Sequence, residues 1–239
     1  QQTILGPVWF VIQPLIATGA FTIVFGHGLG TSTDALPPFL FYQCGMLVWS
    51  FFATIFSAAG NTFQTNAGVF TKVYFPRLVV PLAVAIGSLV PLALQMIVFL
   101  GFYAPAFAGA RAWEPNGVFL ALLPLLLLQT GLFALGLSLL NSGLSAKYRD
   151  LQHALPFLLQ VGLFVTPVIY PLSQLGGVAR WLAGLNPLAF PVEAFRRAFF
   201  GVATLTPGLV LTSLAGTVFV LLAGLLAFQR AERTFADTV

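Results

Sequence analysis

From residue 207 to residue 228 the chain carries no charged side chain, and runs of the same kind fill residues 6–25, 38–59, 78–103 and 117–140. Each is long enough to cross about 30 Å of hydrocarbon as a helix, which takes about 20 apolar residues. No soluble fold can bury that many such runs at this length. Composition agrees: charged residues make up 7% of the 239, against roughly 25% in ordinary soluble domains. Too few charges remain to cover a water-facing surface, so an integral membrane protein of about six spans with short loops is expected.

Several spans carry their own irregularities. Pro14, after Gln13, lies inside the first run. It removes a backbone hydrogen bond, and the freed carbonyl is tolerable in lipid only if a neighbouring helix satisfies it. Pro91 predicts a second kink in span 78–103. In the second span Tyr42, Trp49, Phe52 and Phe56 recur at helical spacing and share one face. That face reads either as core or lipid-facing packing or as a stacking surface for a ligand with flat apolar faces, such as a sugar ring. Trp9 near the start of the first span suits an interface anchor. Ala134, Ser138, Ser142 and Ala146 form a small-residue ridge that lets another helix approach closely.

Residues 60–77 are polar and then amphipathic, and read as a short helix on the membrane surface. Lys147-Tyr148-Arg149-Asp150 forms a second charged turn, expected on the same side as the first. The fifth apolar run, residues 155–170, is short for a span and ends at Pro167 and Pro171. After it, two short helices over about 172–185 and 187–201 fit better than another span. The second holds Glu193, Arg196 and Arg197, which would be very costly facing lipid at the bilayer centre. A re-entrant or interfacial hairpin meets both constraints. Arg230, Glu232 and Arg233 follow the last span as a charged tail. With both termini inside, six cations lie inside and four outside, a small positive-inside bias.

Several function classes are excluded. Lys72 and Lys147 follow Thr71 and Ala146, so the Gly-Lys-Ser/Thr of a Walker ATP site is absent, and Gly26–Gly30 imitates a phosphate loop only superficially. His27 has no partner at ligand spacing, and no metal site or cofactor is expected on this chain. Apart from the adjacent Arg196 and Arg197, Lys and Arg are scattered singly, which leaves no basic patch for nucleic acid. The lone Cys44 permits no intramolecular disulfide and reads as a structural thiol. Asp34, Glu114, Asp150, Glu193, Glu232 and Asp237 are dispersed, against a membrane-embedded transferase. No ionisable group lies inside a span, against a channel or ion-driven carrier. No charged leader or cleavage site precedes the first run, so it reads as a span rather than a signal peptide, and the start at Gln1 suggests a missing N-terminal piece.

Four stretches together resemble the membrane subunits of type-2 ABC exporters, in the branch exporting O-antigen polysaccharide or teichoic acid. They are Thr3-Ile4-Leu5-Gly6-Pro7-Val8-Trp9 running on to Gln13-Pro14; Thr71-Lys72-Val73-Tyr74-Phe75-Pro76-Arg77; Tyr148-Arg149-Asp150 with Pro156-Phe157 and Thr166-Pro167-Val168-Ile169-Tyr170-Pro171; and Asn186-Pro187 with Glu193-Ala194-Phe195-Arg196. They follow the family's order up to about residue 201. Members usually carry a basic amphipathic segment before the first span, and here only Gln1-Gln2 stand there.

The resemblance implies an all-α permease forming one transmembrane domain over residues 1–239, with six transmembrane helices, short cytoplasmic coupling helices and an outer re-entrant hairpin between helices five and six. It implies a homodimer in the bacterial inner membrane with both termini cytoplasmic. Two copies of a separate cytosolic ABC ATPase would hold the ATP and Mg. The substrate implied is a glycan on an undecaprenyl pyrophosphate carrier; teichoic acid, capsule polymer or a small lipid or drug would suit the same scaffold. Lys72, Tyr74, Arg77, Lys147, Tyr148, Arg149 and Asp150 would couple to the ATPase. Trp9, Gln13, Tyr42, Trp49, Phe52, Phe56, Phe157 and Phe164 would line the path or stack on sugars. Tyr170, Arg180, Asn186, Glu193, Arg196 and Arg197 would form the outer gate.

Overall fold

A computed structural model describes residues 6–65, 76–109, 113–148 and 150–237. Among these there is helix and no strand. A 3-10 turn, Gly6–Val8, leads into α1, Trp9–Phe21, which widens into a π-helical segment, Thr22–Gly28. Helix α2 is Pro38–Ala59. After one isolated turn at Thr62–Thr65 come α3, Val79–Gly87, and α4, Leu89–Gly109. Next are α5, Gly117–Ala121, α6, Leu123–Lys147, and α7, Leu151–Val165. Two short helices follow, α8, Gly177–Gly184, and α9, Ala189–Phe200, and α10, Pro207–Asp237, closes the chain.

Among the described residues five helical stretches are long and apolar enough to cross a membrane: Trp9–Gly28, Pro38–Ala59, Val79–Gly109, Leu123–Ser145 and Pro207–Glu232. The chain is thus a multi-pass membrane protein. The expected sixth, α7, has 15 residues, about 22 Å at ~1.5 Å per residue, and falls short of the bilayer core. It stops at Thr166 because Pro167 restricts the residue before it to extended backbone.

Helix α2 is the axis of the bundle: 78% of its apolar stretch is buried, against 6% in the first. A helix that is apolar all round belongs inside. Helices α1, α3, α4, α6, α7 and α9 all pack on it.

Prolines set most of the breaks. Span 78–103 is divided at Ser88, three residues before Pro91 and one after Gly87, whose carbonyl the Pro91 ring would strike. Span 117–140 is divided at Leu122, just before Pro124 at the first turn of α6. Asn116 caps α5, its Oδ1 accepting from Val118 N at 3.1 Å and Phe119 N at 3.2 Å. Helix α6 runs on to Lys147, past the expected end at residue 140, so the second charged turn begins on the last residue of the helix. The expected charged tail is likewise helical as far as Asp237.

Pro14 does not end α1. The Phe10 carbonyl that it leaves without a donor accepts from Gln95 Nε2 of α4 at 2.9 Å, and Gln95 Oε1 accepts from Ser50 of α2 at 2.5 Å. One side chain joins three helices at the proline. The expected small-residue ridge is buried at Ala134, Ser138 and Ser142, and Ser138 donates to the Ile55 carbonyl of α2 at 3.3 Å. A second ridge on α6, Gly136 and Gly143, meets α10 at Gly224, where an added Cβ would lie 2.1 Å from the Gly136 carbonyl oxygen. Glycine lets those two backbones touch.

Candidate functional site: the hairpin lock and the opposite end

Leu185–Leu188 turns α8 back toward α9, and this pair sits at one end of the bundle. Ser173 donates to Asp34 Oδ1 at 2.7 Å in the α1–α2 loop. Tyr103 at the end of α4 donates to the Phe199 carbonyl at 2.6 Å, and Asn116 N donates to the Ala198 carbonyl at 3.0 Å. Ser213 of α10 donates to the Pro187 carbonyl and accepts from Gln129 of α6. Helix α9 ends at Gly201 with φ 74°, where an added Cβ would lie 2.4 Å from the Glu114 carbonyl oxygen.

Glu193 and Arg196 stand one turn apart on α9, 1% and 2% exposed, with NH1 to Oε1 at 3.1 Å. A charged group this far from water is stable only when paired and hydrogen-bonded. Glu193 Oε1 also accepts from Leu172 N at 3.3 Å, and Oε2 accepts from Thr204 N at 3.0 Å. The carboxylate therefore gathers the chain entering the hairpin and the chain leaving it. Arg196 NH2 donates to the Val168 carbonyl at 3.0 Å, and its guanidinium lies 3.8 Å from the centroid of the Phe41 ring. Gly45 of α2 makes room: an added Cβ would lie 3.1 Å from Val168 and 3.3 Å from Arg196 NH2.

Asn186 completes the lock. Its Nδ2 donates to Thr166 Oγ1 at 2.8 Å, while its Oδ1 accepts from Leu188 N at 3.0 Å. Thr166 and Val168 flank Pro167, so the hairpin grips the exit of α7 on both sides of its helix-breaking residue. Tyr170 donates to the Val165 carbonyl at 3.0 Å. Arg197 donates back to the Gly201 carbonyl at 2.5 Å and serves the helix end. Arg180 stands apart, exposed on α8.

The aromatic face lies in the core. Tyr42, Trp49, Phe52 and Phe56 are all buried, and Phe52 stacks on Phe56 and on Phe133 of α6. Helix α7 covers Trp49: an added Cβ on Gly162 would lie 3.0 Å from the indole. Trp9 and Gln13 of α1 and Phe157 and Phe164 of α7 are exposed, facing away from the bundle.

At the opposite end Asn141 of α6 donates to the Gly60 carbonyl at 2.9 Å, and Arg77 NH1 donates to the Glu232 carbonyl of α10 at 2.9 Å. Both charged turns therefore share one end, away from the hairpin. Tyr148 and Asp150 are exposed there, between α6 and α7. Lys72, Tyr74, Arg149 and the Lys147 side chain lie outside the described residues.

Sequence reasoning did not single out Gln95, Gly45, Gly162 or the α6–α10 glycines. A glutamine within an uncharged run was the available signal for Gln95; the glycines needed a partner helix to acquire meaning.

The model of the ABC-2 type transporter family matches residues 1–200. The chain is similar to the O-antigen export system permease protein RfbA of Myxococcus xanthus, with 25% identity over 239 residues, 98% of this chain and 88% of that protein. Two proteins of the same name from Klebsiella pneumoniae are 22% and 24% identical over 238 residues, each covering 99% of this chain and 88% of theirs.

Proposed function

The chain belongs to the ABC-2 type transporter family, and from that premise we propose that it is the permease subunit of an ATP-driven exporter of lipid-linked polysaccharide of the O-antigen type. The observation that carries the substrate class is similarity to O-antigen export permeases over nearly the whole chain. Two copies form the path in the bacterial inner membrane, with both termini cytoplasmic, and each copy engages a separate cytosolic ATPase that holds ATP and Mg. Undecaprenyl pyrophosphate carries the glycan.

The cytoplasmic end is the one bearing the charged turns. There Lys72, Tyr74 and Arg77, with Lys147, Tyr148, Arg149 and Asp150, form the coupling elements. Closure of the ATPase pair displaces them. The bond from Arg77 to the Glu232 carbonyl carries the end of α10 along, and the short link from Tyr148 to Asp150 passes motion directly to α7. At the periplasmic end α7 is held by Asn186 and Arg196, so the re-entrant hairpin acts as the gate. Lifting α7 off α2 uncovers Trp49 and then Phe52 and Phe56, which offer flat faces to successive sugar rings. The exposed faces of α1 and α7, with Trp9, Gln13, Phe157 and Phe164, line the path against the second copy.

The test is reconstitution in vesicles with the cognate ATPase. The permease alone hydrolyses no ATP. The complex does, is stimulated by the lipid-linked O-antigen glycan, and loses stimulation with Lys72→Ala or Arg149→Ala. Hydrolysis by the permease alone would overturn the assignment, and stimulation by teichoic acid in place of O-antigen would move the substrate.

A further inference from the structure

We propose that the cavity between α8 and the start of α10 binds the phosphate headgroup of a membrane lipid. Its volume is about 410 Å³, within the ~300–1,000 Å³ of small-molecule sites. One face of α8 forms a wall: Gly177, Arg180, Trp181, Gly184 and Leu185, at the i, i+3, i+4, i+7, i+8 spacing of a single helical stripe. The other wall includes Thr204, Thr206 and Thr212, with no acidic side chain on either. The hairpin's own carboxylate, Glu193, is buried and occupied by Arg196, Leu172 N and Thr204 N.

Three features select the ligand. First, among the described residues the Arg180 guanidinium has no carboxylate or carbonyl partner, unlike Arg196 with Glu193 and Arg197 with Gly201. A guanidinium matches a phosphate in a bidentate way. Second, hydroxyls line the same cavity on the facing wall. Thr204 Oγ1 has no partner among the described residues, and Thr206 Oγ1 accepts from Leu209 N at 3.2 Å, which leaves its proton to donate. Third, the rest of α8 is apolar and open: Trp181 is 64% exposed and Val178 72%, with Leu182 and Leu185 also exposed. Arg beside Trp on an exposed apolar helix is the pattern of a lipid–water boundary. A free phosphate would use the Arg and Thr groups but leave the apolar stripe unused. A lipid phosphate uses both, with its tail along Val178, Trp181 and Leu185. The inference rests on the hairpin lying at a lipid boundary and not on what is exported.

Native mass spectrometry of the intact permease–ATPase complex in detergent, without ATP, tests it. Phosphatidylglycerol is titrated against wild type, Arg180→Gln, Arg180→Lys and Thr204→Val. Wild type binds one high-affinity phosphatidylglycerol per permease chain. Arg180→Gln weakens it roughly tenfold or more, the scale of a lost charge-assisted pair. Arg180→Lys stays within about threefold of wild type, because a point charge still attracts phosphate, and Thr204→Val falls between. Undiminished binding by Arg180→Gln would overturn the proposal. So would displacement of the lipid by an equal concentration of inorganic phosphate, which marks a soluble-anion site. Neither readout involves ATP hydrolysis, so failure here is distinct from failure of the export assignment.

Discussion

Replacing Glu193 by Met leaves Arg196 buried, charged and without its counter-ion. The structure gives the magnitude. Glu193 receives three donors, Arg196 NH1 at 3.1 Å, Leu172 N at 3.3 Å and Thr204 N at 3.0 Å, and Arg196 keeps only Val168 and the Phe41 face. Removing one partner of a buried pair costs about 3–5 kcal/mol. At roughly 2–4 °C per kcal/mol for chains of 150–250 residues, the thermal midpoint falls by about 6–20 °C. Arg196→Met does comparable damage, because it strips the carboxylate of its cation. The double variant is the informative one. With both charges gone no uncompensated ion remains, so it is destabilised by less than the sum of the singles, with a coupling of at least about 1 kcal/mol. Intrinsic tryptophan fluorescence during a thermal ramp in detergent reads all three. If the double variant loses as much as the two singles added together, the pair does not act as a unit and the lock is refuted.

Two further substitutions probe the bundle itself. Gly224→Ala drives a Cβ to 2.1 Å from the Gly136 carbonyl oxygen, a backbone contact that cannot rotate away, so α6 and α10 must separate. The thermal midpoint falls sharply, while Gly101→Ala, with open space around its Cβ, leaves it unchanged; equal effects would refute the close contact. Gln95→Leu removes the donor to the Phe10 carbonyl and the acceptor of Ser50, costing about 1–3 kcal/mol for the groups left unsatisfied. An unchanged midpoint would mean that Pro14 needs no partner from α4.

The chain announces where its backbone is in difficulty but not which side chain relieves it. Pro14, Pro91 and Pro167 each locate an irregularity, because a missing N–H and a ring clash are local properties of the sequence. Helix α3 ends at Gly87 and α7 at Val165 for that reason. The partner is different in kind. Gln95 lies 85 positions from Phe10, and nothing local distinguishes it from any other glutamine in an apolar run.

Charge follows the same division. The cost of Glu193 and Arg196 in lipid already placed α9 outside the spans, but the pair they form was seen only in the structure. The Val168 carbonyl and the space opposite Gly45 come from α7 and α2, so the grip on the exit of α7 was not legible. Irregular backbone in a bilayer must be satisfied from another helix. The backbone carbonyls at the proline breaks in α1 and after α7 are both met in this way, Phe10 by Gln95 and Val168 by Arg196, while Asn186 adds a bond to the Thr166 hydroxyl. The two ties reach the same core by different routes. Gln95 binds α1 directly to α2 and α4. Asn186 and Arg196 bind α7 to a pair of short helices whose second member, α9, is itself buried against α2, with the Arg196 guanidinium over the Phe41 ring, so the α7 exit is anchored to the axis of the bundle through the hairpin.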